Sequence, residues 1–318
     1  MRKIYTVGEA IYDIIFVNNK PVDAKVGGAM INSSVSLGRL GLPINYIGDT
    51  AKDAVGEIMR SFLIDNNVNI DHFAFYPESK SRLALAFLDD INSPKYSFYK
   101  INTPHKIRLD FPEINKDDII LFGSFYGIKA EVRGALVDFL LEAKRKDAII
   151  LYDPNFRPNH KSLLSTVLPF IEDNIRIADL VKASNEDFDL IFGSNTFDEV
   201  LERVDSLRPK SLIYTRNENG IDWTHKGQMK HFDVQKLEPV SAVGAGDTFN
   251  AGLIYYIYKN NITKAQLKTM SEEQWHEMLA IADSFAANVC MSTDNYISEE
   301  FAKSIIEGYT KLIPKHAI

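Results

Sequence analysis

The sequence predicts an α/β protein built on a mostly parallel sheet, and three observations carry that reading. From Asp117 onward, short apolar runs alternate with helical patterns. Those runs lack the in-and-out alternation of half-exposed strands, so they suit strands covered on both faces by helices and joined by right-handed crossovers. No Pro/Gly/Ser linker, low-complexity tract or internal repeat divides the chain. At 318 residues the length allows two domains or one large α/β unit, and the unbroken rhythm favours a single domain over 1–318.

Taken in order, Met1 to Gly8 runs straight into a strand-like segment, and the Gly27-Gly28 pair precedes a helix with Asn32 in its first turn. Leu83 to Leu88 and Tyr96 to Tyr99 flank the turn-rich Asp89 to Lys95 and read as a hairpin. Two strands alone are marginally stable, so this hairpin must lie on the main sheet, join other short strands or pair with a second subunit. A strand at Ile119 to Phe122, a helix near Lys129 to Lys146 and a strand at Ile149 to Tyr152 follow, then strands at Leu180-Val181 and Ser211 to Thr215. The C-terminal part is helical, at Ala245 to Tyr258, Ser271 to Met291 and Ser298 to Leu312.

Composition removes several function classes. With 36 basic side chains against 43 acidic ones, net charge −7 and a pI of about 5.6, the chain is a poor match for duplex nucleic acid or an anionic membrane, which need clustered Lys and Arg. Cys290 is the one cysteine, and the seven histidines are scattered, which excludes an internal disulfide and structural zinc. No run approaches the roughly 18 apolar residues of a membrane span. The start lacks the apolar stretch of a secretory signal, so a cytoplasmic protein is expected.

The most informative stretch is Val243 to Gly252, where Gly244-Ala245-Gly246 open an apolar helix. Small residues there let backbone N–H groups converge, and the helix start adds positive potential, which together suit a phosphate. Asp247 is the anomaly. A carboxylate beside a phosphate is repelled unless it has a proton to take, which makes Asp247 a candidate general base. The plainer reading is a tight turn with an acid favoured by the helix dipole. At the other end of the chain, Gly27-Gly28 would let a small ligand approach the backbone closely, and Asn32 offers a donor and an acceptor to a sugar hydroxyl. There the alternative is a turn followed by a packed helix. Dinucleotide, Walker-type and protein-kinase motifs are all missing.

The Gly27-Gly28 helix opening, the Asp153-Pro154-Asn155-Phe156-Arg157-Pro158 strand end and the late Gly244-Ala245-Gly246-Asp247 loop stand in an order that resembles the PfkB, or ribokinase-like, carbohydrate kinases. The middle element looks like those of fructokinases and 2-keto-3-deoxygluconate kinases. The resemblance implies a three-layer α/β/α fold with a small β lid, here at about 10–26 and 72–106, which closes over the sugar and excludes water. It implies transfer of the γ-phosphate of ATP to a hydroxyl of a small sugar, with fructose leading and 2-keto-3-deoxygluconate or another sugar or nucleoside second. Asp247 would take the hydroxyl proton, and the amides of Ala245, Gly246 and Asp247 would hold the transferring charge. Asp13, Gly28, Asn32 and Arg157 would bind sugar. Arg157 has three readings from its chemistry: a grip on a substrate carboxylate, a contact to ATP phosphate, or a structural ion pair. Phe98 and Tyr99 are expected to present an apolar face to the sugar, or simply to pack.

Other motifs depart from the family pattern. The acidic motif tied to Mg²⁺ through water aligns with Ser184-Asn185-Glu186-Asp187, with Ser184 and Asp187 as its ends and Glu186 the rival; no direct protein ligand to the metal is expected. The nucleotide turn appears as Thr215 to Gly220, with Asn217 in place of a glycine, a residue that tolerates positive φ. Ser241-Ala242 stand where monovalent-cation-activated members carry Asp-Thr, which leaves a potassium requirement undecided. Asn288 and Met291 align with the helix that closes the adenine pocket. The expected partners are the sugar and ATP, with a homodimer through the lid strands as a further expectation. A non-catalytic sugar sensor on the same fold is the alternative of another class, and retention of Asp247 speaks against it.

Overall fold

The computed structural model describes residues 2–88, 94–99, 109–194, 196–207, 211–225 and 227–308. The chain begins with β1 (Ile4–Val7), leaves the main sheet for β2 (Ile11–Val17) and β3 (Lys20–Gly27), and returns through α1 (Ala29–Arg39) to β4 (Ile44–Ala51). Next come α2 (Ala54–Asp65) and β5 (Phe73–Tyr76), then a second excursion in β6 (Leu83–Leu88) and β7 (Pro94–Tyr99). The alternating part comprises β8 (Ile119–Gly123), α3 (Ala130–Arg145), β9 (Ile149–Asp153), α4 (Leu164–Ile177), β10 (Leu180–Ser184), α5 (Asn185–Phe192), α6 (Phe197–Asp205) and β11 (Leu212–Thr215). It ends in the hairpin β12 (Ile221–His225) and β13 (Gln228–Phe232), and α7 (Ala245–Lys259), α8 (Lys264–Leu267), α9 (Glu272–Cys290) and α10 (Glu299–Ile306) complete the fold.

Among the described residues nine strands form the main sheet, in the order β13-β12-β11-β10-β9-β8-β1-β4-β5. All neighbours from β11 to β5 are parallel, and β12 and β13 append an antiparallel edge. Successive residues of each central strand enter opposite cores. Ile119, Leu121, Ile149 and Leu151 join the core with α1, α7 and α9, whereas Ile120, Phe122, Ile150 and Tyr152 join the core with α3 and α4. Both sides of each strand must therefore be apolar, which is why the runs do not alternate. The result is the expected three-layer α/β/α arrangement.

The two excursions form a separate four-stranded sheet, β3-β2-β6-β7, in which β2 runs parallel to β6 and the outer pairs are antiparallel. The β6–β7 hairpin is thus stabilised by joining other short strands. Its turn, 89–93, lies outside the described residues. The second lid segment was expected from residue 72, but β5 pairs in parallel with β4 inside the main sheet, from Gly48↔Phe73 to Ala51↔Tyr76. Strand pairing therefore puts the lid's second segment at β6. The last helix was expected to reach Leu312. It ends at Ile306, and Gly308 follows at φ 71, a left-handed residue that closes helices.

Candidate active site

From β1 the chain first builds outward to β4 and β5 and then crosses to β8, β9, β10 and β11 on the other side. The carboxyl ends of strands at such a reversal form the crevice where open α/β sheets bind ligands. Asp153 ends β9, Ser184 ends β10 and Thr215 ends β11. The start of α7 reaches the same rim, since its Asp247 meets Asn32 of α1.

Gly244 is the N-cap of α7 at φ 84, and a Cβ there would lie 2.4 Å from the Asn295 carbonyl oxygen, so position 244 demands glycine on two counts. Asp247 is held from both ends. Its Oδ2 accepts from Asn32 Nδ2 at 2.8 Å, and its carbonyl accepts from Ser33 Oγ at 2.7 Å. Burial pushes its carboxyl up to about 6, against the opposing pull of the Asn32 hydrogen bond and Arg157. It is ionised at neutral pH yet a better proton acceptor than an ordinary carboxylate. Of the three amides assigned to the anion site, that of Ala245 turns back on the Ala242 carbonyl at 3.3 Å. Among the described residues the Gly246 and Asp247 amides meet no protein acceptor, because they lie in the first turn.

On the sugar side, Asn32 is buried and its Oδ1 has no protein partner, an acceptor left for a ligand. Gly28 caps α1 at φ 117, and a Cβ on it would strike the Glu9 carbonyl at 2.3 Å; the pair of glycines thus has a packing reason as well as a ligand one. Asp13 lies against Gly27, whose Cβ would fall 2.2 Å from Oδ2, and burial raises the Asp13 carboxyl to about 7. In register, Asp13 pairs with Ala84 and Ala84 with Phe98, so the three share one face of the lid. Tyr99, one residue on, faces the other way. Tyr96 shares Phe98's face and feels both Asp13 and Arg157. The apolar pair toward the site is therefore Tyr96 and Phe98, ring centroids 5.7 Å apart, rather than Phe98 and Tyr99. Arg157 is exposed and acts electrostatically on both Asp247 and Tyr96.

On the nucleotide side the two acids of the motif stand in different surroundings. Ser184 and Asp187 form a capping box at the start of α5, and Asp187 also accepts from the Phe156 amide at 2.6 Å. Both Asp187 oxygens are engaged by protein donors, and burial raises this carboxyl. Glu186 is the exposed acid of the motif and accepts from Asn217 Nδ2 at 3.4 Å. Thr215 pairs with Ser184 in register, Asn217 takes φ 49, and Gly220 at φ 89 lies under the His231 ring. Asn288 sits on α9, where its Oδ1 accepts from the Ser298 amide at 3.0 Å and so anchors α10; Met291 is exposed just beyond that helix.

Sequence reasoning missed a buried polar group beneath the anion turn. Lys182 of β10 donates to Asp153 Oδ2 at 3.1 Å, and Asn250 of α7 donates to the same oxygen at 2.6 Å. A lysine within the otherwise apolar Leu180 to Ala183 was the available signal. No helix among the described residues is long and apolar enough to cross a membrane.

A model of the pfkB family carbohydrate kinases matches residues 1–300. A fructokinase of Rhizobium leguminosarum bv. trifolii is 27% identical over 279 residues, 85% of this chain and 84% of that protein. The structure of a double-mutant fructokinase from Vibrio cholerae O395, with fructose, ADP and potassium, superposes with TM-score 0.84 at 18% identity and covers 96% of this chain and 98% of that one. An aminoimidazole riboside kinase from Salmonella enterica, with its riboside and an ATP analogue, gives TM-score 0.80 at 18% identity, covering 96% and 100%. The chain belongs to the pfkB family of carbohydrate kinases.

Proposed function

We propose that this kinase transfers the γ-phosphate of ATP to a terminal hydroxyl of fructose. The observation that carries the reaction is the buried Asp247 carboxylate next to its own and Gly246's unoccupied amides. The sugar hydroxyl gives its proton to Asp247 as its oxygen bonds to the γ-phosphorus; the bond from phosphorus to the β–γ bridging oxygen breaks, and ADP leaves. Such transfer has a loose transition state, so positioning and charge stabilisation dominate. The two amides face the charge on the moving group, and Asn32 fixes the rotamer of the base.

Asp13 and Asn32 Oδ1 supply acceptors for sugar hydroxyls, with Tyr96 and Phe98 covering the ring. Among the described residues no cluster of three or more His, Cys, Asp or Glu could hold a metal. Mg²⁺ would be held through ATP phosphates and water, with Glu186 as the accessible acid. When bound, the ion would offset negative charge on the phosphates. Thr215 and Gly220 border the nucleotide in this reading, and Asn288 supports the adenine side through α10.

The fructokinase relatives support fructose. A keto acid such as 2-keto-3-deoxygluconate is the second reading, favoured by the exposed Arg157 guanidinium at the mouth of the site. ADP release measured over fructose, ribose, 2-keto-3-deoxygluconate and nucleosides decides between them: kcat/KM highest for fructose is expected. Preference for the keto acid would move the assignment, and tight sugar binding without turnover would make the protein a sensor.

A further inference from the structure

We infer that Lys182 is a positioning residue of phosphoryl transfer: its buried ammonium is the counter-ion that lets three carboxylates, Asp153, Asp187 and Asp247, converge beneath the anion turn, and it sets how closely that turn can approach. The inference rests on the sugar-kinase reading of the site. Lys182 is 6% exposed, Asp153 2%, Asp187 5% and Asp247 7%. Three acids in so dry a place cannot all be ionised without a cation among them. Lys182 is the buried cation there; Arg157, the other one acting on Asp247, is on the solvent side.

The geometry gives Lys182 two jobs. It grips the end of β9 through Asp153, an oxygen that Asn250 of α7 also holds, so strand β9, strand β10 and helix α7 meet at a single carboxylate. It also lies directly under Gly246, where a Cβ would sit 2.8 Å from Nζ. A Cβ at 246 would have to displace that ammonium or the turn above it. Burial alone would lower the proton affinity of Lys182, but Asp153 and Asp187 outweigh it and the net shift is upward, so it stays charged.

Asp247 is faced by Asn32 and Ser33 from α1, by Arg157 and Asp153 from β9 and its exit, and by Lys182 from β10. Among the charged groups, Lys182 favours its anion and Asp153 disfavours it. Opposite signs make the test. Lys182→Met should raise the acid limb of the kcat/KM profile by about half a pH unit, a roughly threefold loss of the ionised base near that limb. Asp153→Asn, which leaves Lys182 beside Asp187, should move the limb down. Lys182→Met should also lower kcat roughly tenfold to a hundredfold with the KM for ATP nearly unchanged, and Lys182→Arg should restore the limb.

Damage that is merely structural would move both limbs the same way or neither, and either result overturns the inference. Should Lys182→Met fail to fold, Asp153→Asn decides alone: a limb that stays or rises refutes it. The Asp247 carboxyl followed by ¹³C NMR, identified by its loss in Asp247→Asn, reads the same shifts without turnover. If wild-type protein phosphorylates no sugar while these shifts occur, the kinase reading fails and the electrostatic role of Lys182 stands.

Discussion

The floor of the site and its lid are built on opposite terms. In the floor every charged group is held by protein: Asp153 by Lys182 and Asn250, Asp187 by its capping box and the Phe156 amide, Asp247 by Asn32. In the lid, burial is what acts on the Asp13 carboxyl, and edge strand β7 leaves Tyr96 42% and Phe98 40% exposed. A floor finished before ligand arrives can stabilise a transition state without reorganisation. We propose that the lid gains its remaining partners when a sugar enters. We propose that chemistry belongs to the floor and selectivity to the lid, so floor variants should act on kcat and lid variants on KM.

The largest test of that division is Asp247→Asn. The amide keeps the shape and an acceptor for Asn32 Nδ2 but takes no proton. Turnover should fall by roughly 10² to 10⁴-fold, while ATP affinity by titration calorimetry stays within about twofold. Because burial raises the wild-type carboxyl to about 6, kcat/KM should fall as pH drops through that value. An Asp247→Asn enzyme with normal kcat and a raised sugar KM would reverse the roles of floor and lid.

Asp13→Asn probes the lid with a smaller effect. Loss of charged acceptors for sugar hydroxyls is worth about 1.5–3 kcal/mol, a rise of about tenfold to a hundredfold in sugar KM, with kcat changed less. The stability signature has a definite sign. Burial raises the Asp13 carboxyl from 3.8 to about 7, so the folded protein holds this proton in a range where the unfolded chain has lost it. Stability from this group therefore falls as pH rises across that window. Thermal unfolding should show Asp13→Asn more stable than wild type above the window and equal to it below. A stability difference that did not depend on pH would show that Asp13 is not desolvated in the folded state.

How much of this was legible in the sequence follows the same line. The sheet was readable because both faces of each strand are buried, which leaves continuous apolar runs. Asp247 was readable because its helix start lies within a contiguous glycine-rich segment. Lys182 was missed because its partner Asp153 comes from another strand 29 residues away, and Asn250, which shares that carboxylate, lies 97 residues from Asp153. Asp187 carries two readings for a related reason, since a serine with an acid three residues on spells a capping box as readily as a metal relay. The start of the lid was misplaced because β5 looks the same whether it pairs with β4 or with β6.

The smallest effect concerns adjacent aromatics on β7. Phe98 lies in the row of Asp13 and Ala84, the face proposed for sugar, and Tyr99, 58% exposed, points to the opposite face. Phe98→Ala should raise sugar KM several-fold, the worth of part of an apolar contact of about 1 kcal/mol, and leave the unfolding temperature nearly unchanged because the side chain is half exposed. Tyr99→Ala should leave KM alone. If two copies pair through the lids, as we propose for the exposed β7 edge, Tyr99→Ala rather than Phe98→Ala should weaken the dimer in sedimentation. The reverse pattern, with KM following Tyr99, would mean that strand β7 is shifted by one residue against β6, since a single-residue slip exchanges the two faces.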